Sequence, residues 1–131
     1  MDNLERVRTS INFDNTYFRN LVGFYSPVDA DRVPDPNLLC FNHKLGTQLN
    51  LEQEFFDSPE GAQIFSGNLK PDGSQSLSQV YAGHQFGGYS PQLGDGRAVL
   101  LGEVKDVNGE RFDIQFKGSG RTPYSRGGDG K

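Results

Sequence analysis

The sequence is short of cysteine, of long apolar runs and of net positive charge, and each shortage excludes something. Cys40 is the only cysteine among 131 residues, so no disulfide can close within the chain. A reducing compartment is the default setting for such a chain. Cys40 lies in the apolar run Leu38-Leu39-Cys40-Phe41, where a lone cysteine is expected as a small core side chain and not as a reactive thiol. No apolar stretch approaches the roughly 20 residues of a membrane helix. The opening Met1-Asp2-Asn3-Leu4-Glu5 does not have the pattern of a secretory signal. A soluble intracellular protein with no membrane partner is expected. The formal net charge is −4, whereas a nucleic-acid binder of this size is usually basic, so nucleic acid is not an expected partner. Apolar residues make up only 34%, low for a compact globule.

What the chain does have is 17 glycines and 7 prolines, which imply many turns and long connections. The length fits one domain. A loop-rich α+β chain follows: a small antiparallel sheet, short helices and long loops. Charge is uneven along it. Between Arg111 and Lys131 stand five positive residues (Arg111, Lys117, Arg121, Arg126, Lys131) and two negative ones (Asp113, Asp129). A local basic patch of this kind can hold a phosphate even on an acidic protein.

Residues 1–36 read as an extended segment that wraps over a core. Within it, Asp14 or Asn15 is a candidate cap for a short helix carrying Tyr17, Phe18 and Leu21. The prolines from Pro27 to Pro36 keep the rest extended. Residues 37–131 hold the packed part. Leu38–Phe41 reads as a short buried strand. Asn42 caps a helix through Leu49, and Ser58-Pro59-Glu60 starts a second helix that ends at Gly67-Asn68. Glu52, Glu54, Asp57 and Glu60 form a wet face, while Phe55 and Phe56 belong to the core. Pro71-Asp72-Gly73-Ser74 is a turn, and Ser76–Ala82 reads as a short helix stopped by Gly83. His84 is expected to be a structural residue in a tight glycine turn, and His43 an exposed helical one.

The best-defined unit follows. Arg97–Val104 is a strand, Asn108-Gly109 a turn, and Glu110–Lys117 a second strand with strict alternation. Phe112, Ile114 and Phe116 face one way; Asp113, Gln115 and Lys117 face the other. Glu103 is placed to pair with Lys105 or Arg111. Gly94-Asp95-Gly96-Arg97 precedes the first strand, where glycines allow backbone amides to approach a ligand closely. Arg97 adds a forked donor suited to phosphate. Antiparallel pairing must bring Arg97 and Lys117 to the same end of the sheet, with strands about 4.8 Å apart. Glycine turn, strand, hairpin and strand lysine follow one another as in protein kinases. The pattern is neither a full kinase glycine loop, since Val99 stands where a third glycine would be, nor a P-loop, since Ser125 stands at the required earlier glycine. On spacing alone, a surface hairpin with solvated charges reads equally well.

Long motifs add a resemblance. Tyr81-Ala82-Gly83-His84-Gln85-Phe86-Gly87, Pro91-Gln92-Leu93-Gly94-Asp95-Gly96-Arg97-Ala98 and Leu101-Gly102-Glu103-Val104 are similar to the selenoprotein O family. So are Asp113-Ile114-Gln115-Phe116-Lys117-Gly118, Gly120-Arg121-Thr122-Pro123-Tyr124-Ser125-Arg126 and Gly128-Asp129-Gly130. Earlier anchors are Phe13-Asp14-Asn15, Phe24-Tyr25-Ser26 and Phe65-Ser66-Gly67-Asn68. Gly88-Tyr89-Ser90 departs from a stretch that is usually bulkier, and Lys131 stands where arginine is common.

The resemblance implies a protein-kinase-like fold, with residues 37–131 as part of its amino-terminal lobe. It implies binding of ATP in a reversed orientation and transfer of AMP to hydroxyl side chains of protein substrates. It implies that Gly94, Gly96, Arg97, Lys117, Asp129 and Gly130 contact the nucleotide. The family's catalytic base and its ligands for Mg2+ or Mn2+ are expected beyond Lys131. The fold is thus expected to be incomplete and this stretch inactive by itself. The resemblance places such proteins in the bacterial cytoplasm or the eukaryotic mitochondrion. A non-catalytic nucleotide-sensing module is the alternative, and nucleic-acid contact through Arg111–Lys131 a third reading. Arg121 and Arg126 suit phosphate, an acidic substrate or solvent equally.

Overall fold

The computed structural model describes residues 6–85, 88–94, 98–120 and 122–123, with backbone alone for residues 80–85 and 88–94. The architecture is α+β. Strand β1 (Arg6–Val7) is followed by α1 (Thr16–Asn20), β2 (Tyr25–Pro27), α2 (His43–Gln48), α3 (Gln53–Phe56) and α4 (Pro59–Phe65). Then come β3 (Lys70–Pro71), β4 (Leu77–Gln85), β5 (Gly88–Gly94), β6 (Ala98–Lys105) and β7 (Arg111–Lys117). A small parallel pair joins β1 to β3, and an antiparallel sheet runs β2-β4-β6-β7 with β5 also on β4.

The helices begin where their caps dictate. The Asn42 side chain accepts the Leu45 amide at 3.0 Å to open α2, and the Ser58 hydroxyl accepts the Gly61 amide at 3.3 Å to open α4. Pro59 at the first position of α4 has no amide to leave unpaired. All three helices α2–α4 are too short to persist alone and depend on packing. Their apolar side chains meet one face of the sheet in a core of Ile11, Leu49, Phe56, Ile64 and Val104. Phe41, Phe65, Phe112 and Ile114 pack around it. Phe56 stacks edge-on to Phe55 at 5.0 Å and tilts against Phe65 at 5.6 Å, geometries that the ring quadrupole favours. His43 is exposed at the start of α2 and meets the Asp57 carboxylate at 2.9 Å.

Two segments depart from expectation. Leu38–Phe41 is not a strand. Leu39 is 98% exposed and Cys40 is exposed as well, so the cysteine is no core residue. The sheet's end strands are β2 and β7, and a four-residue apolar run without a ladder partner has no reason to stay extended and buried. Ser76–Ala82 is not a helix. It lies mostly within β4, which pairs with β2 from Leu77 to Gln79, with β6 at Leu77 and with β5 from Val80 onward. Pairing on both sides overrides a weak local helical preference. His84 accordingly sits in a strand opposite Tyr89 and not in a tight turn.

Residues 12–14 run along β6 as a strap. Phe13 bridges Val104, the Asp14 amide donates to the Glu103 carbonyl at 2.8 Å, and the Lys105 amide donates to the Asn12 carbonyl at 3.1 Å. Gly102 makes the close approach possible: a Cβ there would lie 2.6 Å from the Phe13 ring and 2.8 Å from the Asn15 amide oxygen. Asn15 stands at the cap position of α1, but its side chain makes no cap hydrogen bond. It instead donates to the Gly73 carbonyl at 2.7 Å and accepts the Glu103 amide at 3.0 Å. The cap comes from the sheet. The Glu103 carboxylate accepts the Thr16 hydroxyl at 2.8 Å and the Tyr17 amide at 2.5 Å. Glu103 therefore does not pair with Lys105 or Arg111. Both of those cations meet Asp14, at 3.3 and 2.7 Å, together with Arg19 at 2.7 Å. These partners, Arg19 first, hold the Asp14 carboxyl well below the usual carboxylate range.

Candidate nucleotide-binding site

The β6–β7 hairpin is set at its far end by Asp106. The buried carboxylate accepts the Asn108 and Glu110 amides at 2.8 Å each and the Gln48 side chain at 3.2 Å. Burial alone would push this carboxyl up; the hydrogen bonds outweigh it and hold the group below its ordinary value. The turn fixes the register of everything that follows. Lys105 lies opposite Arg111, Glu103 opposite Asp113, and Val99 opposite Phe116; a register shift between Leu100 and Gly102 absorbs one residue. At the open end Ala98 lies opposite Lys117.

The alternation along β7 divides the two faces. Phe112, Ile114 and Phe116 are half-buried toward the core, and Arg111, Asp113, Gln115 and Lys117 are exposed on the other face. Directly paired residues share a face. Leu100 opposite Gln115 and Leu77 opposite Leu100 carry the Lys117 face across β6 to β4. Gln79, two residues along β4, lies on that same face, as does Tyr25 opposite it on β2. On this face Asp113 sits beside the like charge of Glu103; burial, aided by that neighbour, pushes the Asp113 carboxyl up.

Beyond Lys117 the chain turns through Gly118 at φ +78° and Gly120 at φ +125°. Gly120 lies against Asp31: a Cβ would meet the carboxyl carbon at 2.4 Å. The Asp31 amide donates to the Ser119 carbonyl at 2.8 Å, which ties the proline-rich segment to the end of the hairpin. Between them opens a cavity of about 410 Å3, walled by Val33, Phe65, Ile114 and Phe116, with Lys117 and Ser119 at its polar side. The Ser119 hydroxyl is buried without a hydrogen-bond partner among the described residues.

Of the residues singled out by sequence, Lys117 closes β7 and Gly94 closes β5, opposite Val80. Gly96, Arg97, Asp129 and Gly130 lie outside the described residues, as do Arg121 and Arg126. The described backbone brings Lys117 beside Ala98, the immediate neighbour of Arg97 in the chain. Gln79 and Ser119 were missed by sequence reasoning. Neither carries a local signal: Leu77-Ser78-Gln79-Val80 does not alternate, and the strand is set by its partners β2 and β6. Among the described residues no group of three or more His, Cys, Asp or Glu side chains is placed to hold a metal ion, and no helix is long and apolar enough to cross a membrane.

This is an α+β chain with a lysine and a glycine-ended strand at one end of its sheet, chemistry suited to an anionic ligand. The chain belongs to the family described as protein adenylyltransferase SelO, whose profile matches residues 7–131. Relatives named protein nucleotidyltransferase YdiU are similar over nearly the whole chain. The protein from Cereibacter sphaeroides is 57% identical over 91% of the chain, and that from Nitrobacter hamburgensis 54% over 92%, each match covering 24% of the relative. The protein from Anoxybacillus flavithermus is 54% identical over 92% of the chain and 25% of its own length. The chain thus spans about a quarter of the length of the curated relatives it matches.

Proposed function

We propose that this chain is the ATP-binding part of a protein adenylyltransferase with a kinase-like fold, which transfers AMP from ATP to Ser, Thr or Tyr hydroxyls of protein substrates. The observation that carries the reading is the register that sets Lys117 opposite Ala98, one residue beyond Arg97. Lys117 and Arg97 then hold and neutralise the triphosphate, with Gly94, Gly96, Asp129 and Gly130 as further contacts. The substrate hydroxyl attacks the α-phosphorus, its proton passes to a base, and the bond to pyrophosphate breaks. Cations fixed near the leaving pyrophosphate supply the electrostatic stabilisation on which such transfers depend. Mg2+ or Mn2+ and the general base are assigned to the part of the relatives that this chain does not span, so the 131 residues alone are inactive. The bacterial relatives and the single cysteine support a cytoplasmic setting.

Labelled ATP titrated against the wild-type chain and Lys117→Ala, with and without magnesium, tests this reading. A loss of tenfold or more in affinity is expected for the variant. Equal affinity of the two proteins, or no ATP binding by the wild type, refutes it.

A further inference from the structure

Gln79 is a half-buried polar side chain on the Lys117 face that makes no hydrogen bond among the described residues. It occupies β4 between the pairs Leu77–Leu100 and Val80–Gly94. On its other side it pairs with Tyr25 of β2. It is half-buried, yet its amide makes no hydrogen bond among the described residues. Its amide is therefore uncommitted within the fold, whereas the amides of Asn15, Asn68 and Gln48 elsewhere in the structure are held by hydrogen bonds. Two strand spacings separate β4 from β7, so Gln79 lies about 10 Å from the Lys117 position on a common face. That span fits a nucleotide with its phosphates at Lys117 and its base over β4. A carboxamide presents one donor and one acceptor edge, the pair that matches the N6 and N7 positions of adenine.

We infer that Gln79 is the residue of this face that recognises the adenine base of the nucleotide held at Lys117. This rests on the nucleotide reading above and adds the part of the ligand that Lys117 does not select. Guanine places an acceptor where adenine has its amino donor, so the same amide orientation discriminates against GTP. Tyr25 backs the site from β2, its hydroxyl fixed on the Phe18 carbonyl at 2.8 Å.

The test compares ATP, GTP and inorganic tripolyphosphate as ligands of the wild-type chain, Gln79→Met, Gln79→Ala and Lys117→Ala. The methionine variant keeps the length and bulk of the side chain and removes its hydrogen bonds. Both Gln79 variants are expected to bind ATP about tenfold more weakly, to lose the preference for ATP over GTP, and to bind tripolyphosphate as the wild type does. Unchanged tripolyphosphate binding also certifies that the variants are folded. Lys117→Ala is expected to weaken all three ligands. Wild-type ATP affinity and selectivity in Gln79→Met, or an equal loss of ATP and tripolyphosphate, overturns the role of Gln79 and leaves the nucleotide reading standing. Failure of the wild type to bind ATP overturns both.

Discussion

Replacing Glu103 by alanine removes the cap of α1 and changes the electrostatics of the Lys117 face in one step. Two hydrogen bonds disappear, those from the Thr16 hydroxyl and the Tyr17 amide. Loss of a helix cap costs about 0.5–2 kcal/mol, and hydrogen bonds to a charged acceptor are worth about 1.5–3 kcal/mol each. The two figures describe overlapping interactions and do not add. A gain opposes them, because Asp113 no longer faces a like charge. A net loss of about 1–2 kcal/mol is expected, which lowers the melting temperature by roughly 3–10 °C in a chain of this size. Urea and thermal denaturation give the stability, and carboxyl-detected NMR gives the Asp113 titration, expected to move down toward an ordinary aspartate. Glu103→Gln separates the contributions: it retains an acceptor for α1, so it costs less than alanine while shifting Asp113 equally. A variant as stable as the wild type, or an Asp113 titration that does not move, refutes the placement of Glu103 between α1 and Asp113.

Asp113→Asn reports the same contact from the other strand. A carboxyl whose folded value is raised binds its proton more tightly when folded, so its favourable contribution is present below the ordinary aspartate range and is lost as pH rises through the folded value. The substitution is therefore expected to raise the melting temperature at pH 7 and to leave it unchanged near pH 3; a destabilised variant at pH 7 contradicts this. Gly102→Ala forces a methyl group to 2.6 Å from the Phe13 ring. Overpacking of this kind costs about 1–3 kcal/mol, and amide exchange at residues 12–14 is expected to quicken as the strap lifts. An unchanged urea midpoint would show that Phe13 yields freely.

Legibility in the sequence followed the range of the interactions. The caps at Asn42 and Ser58 and the Asn108-Gly109 turn act within four residues, and all three hold in the structure. The alternation of β7 was equally plain, because one face is core and the other is not. β4 was misread because its strand character comes from neighbours on both sides and not from its own residues. Glu103 was misread for the same reason. The hairpin sets Lys105 and Arg111 near it, but Asp14 draws them away, and α1 takes the carboxylate from 86 and 87 residues distant. The family motifs and the hairpin order located Lys117 and its surroundings. The sheet face that extends from Lys117 to Gln79 depends on the pairing of β4 with β6, which no local pattern announces.

The strap along β6 also constrains when the fold can form. The hydrogen bonds just after it join Asn15, Thr16 and Tyr17 to Glu103 across 88, 87 and 86 residues of chain, and β1 waits for β3 in the same way. During synthesis Thr16 and Tyr17 are made long before Glu103, so the cap of α1 cannot form until β6 emerges. Closing loops of this length precedes any return in contact energy, the circumstance that slows folding to milliseconds or longer. Over that interval α1, five residues long and capped only from the far strand, has no means of holding itself together. The helix α1 is thus made before the strand that caps it and ordered only after that strand.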